Sequence, residues 1–517
     1  MLLSLSLVII AGIAASYALE AACLKPASKL FWLRHWAANT VHISNWSLCF
    51  CVVLLITQRP WFSLTIVSCA QLFMLLVNQA KYHSLREPFL AQDFEYFSDA
   101  IKHPRLYLPF FGLWRLLLAV GTVIAAVFIG LNIEVSMLVG LQQFYFYSFV
   151  GSMALLSGLI LFISVKQLPA VKLYPLQDQY DLGQFAFLYC YFAKLLQPIQ
   201  LSGQFANAST ADNNTHNLAN IVAVQSESFF DPRQCYDLVN PSVLKNFDKI
   251  CAQSICYGSV KVPAWGANTV RTECAFLTGL NPQQLGIHQF NPYRILAKQQ
   301  VSNLCSQMKQ LGYKTLCIHP YPASFYLRDK VFPGMGFDEF IDLSHFSDQQ
   351  KDGQYISDAA VASKVDQLLS AETEPLFIFV ITMENHGPLH LENSSDIKAE
   401  DIFTQQGVSY YKKQPKLLDD LKVYLRHLKN ADSMALQLTE SLKKQQRQGM
   451  LVWYGDHIPI MPTVYQTLGE PSPDTPYFIW HSDYSADNPN QQHRPIESLA
   501  HEILKIAKST GEKKSHL

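Results

Sequence analysis

Five long stretches without a charged residue occupy the first third of the chain, and they limit its possible folds more than any other feature. They cover residues 1–19, 36–58, 60–80, 116–133 and 135–165. About 20 apolar residues in a helix cross the hydrocarbon core of a bilayer. The sequence therefore predicts a multi-span α-helical membrane domain at residues 1–166, with about five transmembrane helices.

Two features of these stretches leave alternatives open. The first stretch could be a cleaved signal peptide, but its start lacks the basic region that such peptides carry, so we expect a retained helix. Only Arg59 separates the second stretch from the third, which begins at Pro60. These two stretches could therefore form a single broken or re-entrant element instead of two spans.

Charge is distributed unevenly along the chain. The first 165 residues hold 15 charged side chains, whereas the remaining 352 hold 66, a composition typical of a domain in water. The formal net charge of −1 offers no general attraction for a polyanion, so we expect no nucleic acid partner. We expect an interfacial connector and linker at residues 167–217, with a short helix at 184–195 and a polar run at 207–217. A folded domain at 218–507 and a polar tail at 508–517 follow.

Eleven cysteines are scattered along the chain, and no CxxC pair occurs, which argues against a zinc ribbon. If the domain is exported, Cys251 with Cys256, or Cys305 with Cys317, could form disulfides. Packed free thiols are the interpretation that we favour, because sequence alone cannot pair these residues.

Polar residues follow four buried-strand patterns in the second part of the chain. The strand patterns cover residues 220–224, 314–318, 376–381 and 450–454 and alternate with helical stretches, such as the one at 416–444. The residues that follow them are Glu227, His319, His386 and the pair Asp456-His457. In an open parallel sheet, ligands bind beyond the carboxyl ends of the strands. The pattern predicts an α/β domain with a central, mostly parallel sheet and a site at that edge.

Three of these residues are candidate metal ligands. Asp456 and His457 supply an adjacent carboxylate and imidazole, and together with Glu227 they could hold a divalent cation. A structural interpretation stays open, in which Gly455-Asp456 forms a turn and His457 caps a helix or satisfies a core acceptor.

Thr269 begins a short predicted helix that ends near Gly279. A threonine in this position is a good N-cap, and capping could be its whole role. Alternatively, its hydroxyl is a nucleophile, because a metal ion favours the alkoxide and a helix amino end favours an anionic phosphate beside it.

At these residues the chain resembles the lipoteichoic acid synthase branch of the alkaline phosphatase and sulfatase superfamily. The motifs that carry the resemblance are Glu227-Ser228, Thr269 in Thr-Val-Arg-Thr-Glu, Arg328 in Phe-Tyr-Leu-Arg-Asp, His386 in Glu-Asn-His-Gly-Pro, and Asp456-His457 in Tyr-Gly-Asp-His. The family's Trp-x-Arg tryptophan is Tyr326 here.

The resemblance implies a role for each matched residue. Thr269 is expected to be the catalytic nucleophile and His386 an active-site histidine. One divalent metal ion, Mn²⁺ or Mg²⁺, is expected to bind Glu227, Thr269 and the Asp456-His457 pair. The substrate-binding residues that it implies are Arg328, Tyr326 and His319.

The implied activity is transfer of glycerol phosphate from phosphatidylglycerol to a cell-surface glycan through a phospho-threonine intermediate. A phosphoethanolamine transferase acting on lipid A or a surface glycan is the main alternative. A sulfatase-family hydrolase is a weaker one, because sulfatases make their formylglycine from Cys or Ser in a C/S-x-P-x-R context, which is absent around Thr269.

The resemblance also implies a multi-pass protein of the bacterial cytoplasmic membrane, with the catalytic domain on the periplasmic or extracellular side. Loop charges point the other way, since Lys25, Lys29 and Arg34 lie in the first loop and Lys81, Arg86, Lys102 and Arg105 lie in the third. By the positive-inside rule these loops, and the domain beyond them, would be cytoplasmic. We follow the resemblance, because a long domain is translocated largely regardless of its charge.

Overall fold

The computed structural model describes residues 2–95, 121, 124–125, 127–128, 130–138, 143–205, 218–484 and 489–512. The chain divides into two compact units, Met1–Pro198 and Ile199–Leu517. Three predicted segments lie wholly or partly outside the described residues: the polar run at 207–217, half of the fourth apolar stretch at 116–133, and the second half of the polar tail.

The N-terminal unit is helical. Its helices include α1 (Leu2–Cys23), α2 (Trp36–Thr57), α3 (Pro60–Leu85), α4 (Gln143–Lys166), α5 (Pro175–Leu182) and α6 (Gln184–Leu195). Within that part of the chain, α1 to α4 are long and apolar enough to cross a membrane. They correspond to four of the five predicted spans, and α6 matches the predicted connector helix.

The turn between α2 and α3 separates them into two helices, so the single broken element is not formed. Gln58 ends α2 in the left-handed conformation with φ 58°, and Pro60 occupies the first turn of α3. The carboxylate of Glu134 accepts hydrogen bonds from the backbone amides of Trp61 and Phe62, at 3.0 and 2.7 Å. These amides have no partner inside the helix, so Glu134 caps α3.

The last predicted span begins later than the sequence suggested. The charge-free stretch starts at Val135, whereas α4 begins at Gln143. Residues 134–138 instead form a loop against the α2–α3 turn, in which Met137 N donates to Gln58 O at 2.8 Å. Hydrophobicity does not distinguish this loop from a helix, so the charge-free stretch alone does not show where the helix begins.

The C-terminal unit is built on an eight-stranded sheet with the strand order β10-β2-β9-β8-β1-β7-β3-β4. Its strands are β1 (Asn220–Ser226), β2 (Cys256–Lys261), β3 (Lys314–Ile318), β4 (Glu339–Ile341), β7 (Leu376–Ile381), β8 (Gly449–Gly455), β9 (Thr475–His481) and β10 (Asn490–Pro495), and a separate hairpin comprises β5 (Lys351–Asp352) and β6 (Tyr355–Ile356). The strands from β8 to β4 pair in parallel, and β9 is antiparallel to both of its neighbours. The four predicted strands are therefore the contiguous block β8-β1-β7-β3.

Helices cover both faces of this sheet. The helices of this unit are α7 (Lys245–Cys251), α8 (Thr269–Thr278), α9 (Pro282–Leu285), α10 (Tyr293–Leu296), α11 (Leu304–Gln310), α12 (Arg328–Met335), α13 (Asp358–Ala371), α14 (Gln405–Lys413), α15 (Pro415–Lys444), α16 (Pro462–Leu468) and α17 (Glu497–Glu512). One apolar core lies between the sheet and α7, α13, α15 and α16, and a second contains side chains of α8, α11, α12 and α17. Val222 and Val224 face the first core, whereas Ile221 and Ala223 face the second. Burial of both faces explains why β1 is a continuous apolar run.

All eleven cysteines are free thiols, and six of the seven from Cys190 onwards are buried. The expectation of packed free thiols is confirmed, and neither candidate disulfide forms.

Candidate functional site

Three potential metal ligands meet at the carboxyl edge of the sheet. Glu227 follows β1, and Asp456 and His457 follow β8, which pairs with β1 in parallel. One ligand atom from each residue lies within 4.8 Å of those from the other two. His457 Nε2 is 3.5 Å from Glu227 Oε1 and 3.3 Å from Asp456 Oδ2. Parallel pairing thus brings together residues that are 229 positions apart.

Backbone contacts fix the orientation of the two ligands that follow β8. Asp456 Oδ1 accepts hydrogen bonds from the backbone amides of Ser228 and His457, both at 2.8 Å. His457 Nδ1 donates to the carbonyl oxygen of Ile458 at 3.0 Å, so the lone pair of Nε2 faces the carboxylates. Asp456 Oδ2 is buried and receives no hydrogen bond in the described part of the chain.

The electrostatics of this cluster favour a cation. Burial, reinforced by the charge of Glu227, raises the pKa of Asp456 well above its usual range. Burial also lowers the pKa of His457. Two buried carboxylates and a neutral imidazole are ligands that divalent cations accept, and the unpartnered Oδ2 of Asp456 gives such an ion an acceptor. The residues present therefore fit a divalent metal ion.

Thr269 is the first residue of α8 and lies beside the three candidate metal ligands, which we call the metal cluster. Its Oγ1 is 3.4 Å from Glu227 Oε2 and 3.5 Å from His457 Nε2. The predicted N-cap role is wrong, since Asn268, with φ 66°, holds that position without a side-chain cap bond. The predicted C-cap at Gly279 is confirmed, with φ 68°. The hydroxyl of Thr269 is therefore directed toward the cluster and not toward its own helix.

Arg328 is buried and paired with a carboxylate that the sequence did not assign to it. Its Nε donates to Glu273 Oε2 at 3.0 Å, and its Nη2 donates to Glu273 Oε1. Tyr293 also donates to Glu273 Oε2, at 3.0 Å. Glu273 follows Thr269 by four residues on α8, so both side chains lie on one face of the helix. This spacing of four residues was the sequence signal that Glu273 could belong to the site, because positions i and i+4 share a helix face.

The other two predicted substrate-binding residues lie near Arg328 and the sheet edge. The guanidinium of Arg328 lies 5.3 Å from the ring centre of Tyr326, a cation–π contact. His319 Nδ1 donates to the carbonyl oxygen of Ile381, the last residue of β7, at 3.2 Å. Burial and the charge of Arg328 lower the pKa of His319 well below its usual value, so this imidazole is neutral.

His386 lies in the loop after β7, and Tyr355 contacts it. Its Nδ1 donates to the carbonyl oxygen of Gly387 at 2.6 Å, which leaves the Nε2 lone pair free to accept a proton. The hydroxyl of Tyr355 donates to the same carbonyl at 3.2 Å, and the two rings pack edge to face with centres 5.3 Å apart. Tyr355 lies in the two-residue strand β6, which carries no periodic pattern, so the sequence did not reveal it.

Comparisons with known proteins agree with this fold. A capsular polysaccharide biosynthesis protein of Rhizobium meliloti is 32% identical over 266 residues, which make up 50% of this chain and 44% of the relative. Lipoteichoic acid synthase 1 of Bacillus subtilis is 26% identical over 123 residues, or 23% of this chain and 19% of the relative. The chain thus matches less than half the length of either protein.

A solved structure resembles the chain over nearly its whole length. The integral membrane lipooligosaccharide phosphoethanolamine transferase A of Neisseria meningitidis aligns with 93% of this chain and 97% of its own, with a TM-score of 0.51 and 12% identity. This likeness concerns the fold, helical membrane part included. The sulfatase family model matches residues 219–509, more than half of the chain, so the chain belongs to the sulfatase family.

Proposed function

We propose that the protein is a membrane-anchored, metal-dependent phosphoglycerol transferase. It moves glycerol phosphate from phosphatidylglycerol to a cell-surface glycan through a phospho-threonine intermediate. The observation that carries this proposal is the position of the Thr269 hydroxyl, 3.4 and 3.5 Å from two members of the metal cluster, at the amino end of α8. A weak nucleophile becomes reactive in such a place, beside a cation site and helix amides that favour an anionic group.

The reaction proceeds in two displacements at phosphorus. In the first, Thr269 Oγ1 bonds to the phosphorus, the bond to the diacylglycerol oxygen breaks, and protonated His386 gives that oxygen a proton. In the second, an acceptor hydroxyl attacks, gives its proton to His386 Nε2, and the bond to Thr269 breaks. In the first step Thr269 gives its hydroxyl proton to Glu227 Oε2, 3.4 Å away, and in the second step the leaving Thr269 oxygen takes that proton back.

Other groups of the site bind and orient the phosphate. A bound divalent cation, for which we propose Mn²⁺ or Mg²⁺, would be held by Glu227, Thr269, Asp456 and His457 and would stabilise charge on the reacting oxygens. Arg328 Nη1 takes no part in the two bonds to Glu273 and donates to the carbonyl oxygen of Phe325 at 3.5 Å, and we assign its second N–H to a phosphoryl oxygen. Tyr326 and the neutral His319 are proposed to line the pocket for the headgroup.

The names of the relatives support the choice of acceptor. One is named a lipoteichoic acid synthase and another a capsule biosynthesis protein, and both names fit a surface glycan as acceptor. We further propose a location in the bacterial cytoplasmic membrane, with the catalytic unit on the periplasmic or extracellular side. There the membrane helices hold the site near its lipid donor.

A phosphoethanolamine transferase is the second candidate. The full-length fold match to a transferase of that class favours it, because the match includes the membrane helices. Both activities require the same threonine and metal site, so the site residues cannot separate them. The identity of the donor lipid distinguishes the two activities.

The test compares the two donors with purified full-length protein and matched variants of Thr269. Incubation with phosphatidylglycerol should release diacylglycerol and add one glycerophosphoryl group to the protein, seen by mass spectrometry, whereas phosphatidylethanolamine should do neither. Thr269→Val keeps the shape of the side chain, lacks the hydroxyl and should remove both signals, while Thr269→Ser should retain them. Labelling of the Thr269→Val variant would refute the nucleophile, and turnover of phosphatidylethanolamine alone would favour the second candidate.

A further inference from the structure

A cluster of buried charged groups lies behind the loop that carries His386. This loop, residues 384–392, follows β7, and we call it the histidine loop. Its two end residues, Glu384 and Glu392, have side chains that are 0% and 6% exposed. Burying a carboxylate is unfavourable unless it is paired, so the partners of these two residues show what the cluster does.

A single side chain of α15 binds both ends of the histidine loop. His427 is fully buried, with Nδ1 2.9 Å from Glu384 Oε1 and Nε2 3.0 Å from Glu392 Oε2. Its neighbours on α15 reinforce each contact. Asn430 Nδ2 donates to Glu384 Oε1 at 2.6 Å, and Arg426 Nη2, which also lies 2.8 Å from His427 Nε2, donates to Glu392 Oε2 at 2.6 Å.

The β5–β6 hairpin also contacts the histidine loop. Gln354 Nε2 donates to the carbonyl oxygen of Pro388 at 3.0 Å, and Tyr355 contacts His386 and Gly387 as described above. Gly353, with φ 72°, allows the hairpin to approach the loop closely, since a Cβ there would lie 2.5 Å from Glu392 Oε1. The hairpin thus packs on a loop whose ends are already held by α15.

We infer that His427 is a positioning residue that joins the two ends of the histidine loop and thereby sets the place of His386 at the site. This inference rests on the proposed role of His386 in proton transfer. His427 itself touches no reacting group. Its effect is to prevent Glu384 and Glu392 from separating, because separation would leave two buried carboxylates without their shared partner. A loop closed in this way holds the imidazole of His386 in a narrow range of positions, as proton transfer requires.

The first test is kinetic and uses the full-length protein with phosphatidylglycerol. His427→Asn keeps a donor near Glu384 and loses the contact to Glu392, so kcat should fall about 10- to 100-fold while KM changes little. The double variant with His386→Ala should be no slower than His386→Ala alone, because a misplaced loop cannot harm an imidazole that is absent. If the losses of kcat caused by the two substitutions multiply in the double variant, the inference is overturned. His390→Asn, an exposed change in the same loop, is the matched control and should leave kcat unchanged.

The second test does not depend on the substrate. Hydrogen exchange of the full-length protein should show faster exchange of peptides from 384–392 in His427→Asn, with β1 and the rest of α15 unchanged. Glu392→Gln, which weakens one arm of the contact, should give a smaller change of the same kind. Unchanged exchange, or an equal rise across the sheet, would overturn the inference. If the unmodified protein turns over neither lipid, the proposed function fails, and exchange alone decides whether His427 holds the loop.

Discussion

The pair formed by Arg328 and Glu273 allows binding of the phosphate to be separated from stability of the fold. Their side chains are 1% and 0% exposed, and two hydrogen bonds join them. Arg328→Met removes the positive charge and leaves Glu273 buried, with the hydroxyl of Tyr293 still donating to its Oε2. Breaking a buried pair in this way costs about 3–5 kcal/mol. The double variant Arg328→Met with Glu273→Gln leaves no buried charge at either position and should recover about 2 kcal/mol or more.

In the double variant, we expect thermal stability to recover while catalytic activity does not. Thermal unfolding of the full-length protein should occur about 6 °C or more lower in Arg328→Met and return most of the way in the double variant. If Arg328 also binds the phosphoryl group, the double variant should remain about 10²- to 10³-fold less active than the unmodified protein. Recovery of activity with stability would show that Arg328 is only structural. An unchanged unfolding temperature in Arg328→Met would refute the buried pair itself.

Two further predictions concern the metal site and the pH dependence of stability. Adding Mn²⁺ to chelator-treated protein, at 100 times its dissociation constant, should stabilise the fold by about 2.7 kcal/mol and raise the unfolding temperature. The Asp456→Asn variant should lose this rise. An equal rise in the variant would contradict the assignment of Asp456 as a metal ligand. Burial raises the pKa of Asp432, which accepts from the backbone amides of Phe247 and Asn246, to about 6. Because the folded state holds that proton more tightly than the unfolded state, unfolding free energy should fall as pH rises from about 4 to about 6, and Asp432→Asn should flatten this slope in denaturant titrations.

The sequence predicted the site where the chemistry follows from local patterns. Continuous apolar runs that end in Glu227 and in Asp456-His457 identify buried parallel strands, and parallel strands release their polar residues at one edge. That rule was enough to bring together residues that are 229 positions apart. Capping preference assigned the N-cap to Thr269 instead of Asn268, because both residue types are favoured at that position and composition does not choose between them.

The contacts that the sequence did not predict are those between side chains of distant segments. Glu273 and Arg328 are 55 residues apart, and His427 lies 35 and 43 residues from its two partners. Neither set has a periodic spacing, and each partner alone is an ordinary charged residue. Burial is what makes these contacts informative, and burial of a charged group is decided by tertiary packing.

The geometry of α8 explains how one short helix serves two parts of the site. Thr269 lies in its first turn and faces the residues that follow β1 and β8. Glu273, four residues later on the same face, holds Arg328 at the start of α12, and α12 belongs to the segment that follows β3. Since α8 is buried throughout and packs on the sheet, rotation or translation of the helix would move the hydroxyl and the guanidinium together. The distance between the proposed nucleophile, Thr269, and the proposed phosphate-binding group of Arg328 is therefore set by one helical turn, and that constraint is the same for either proposed lipid donor.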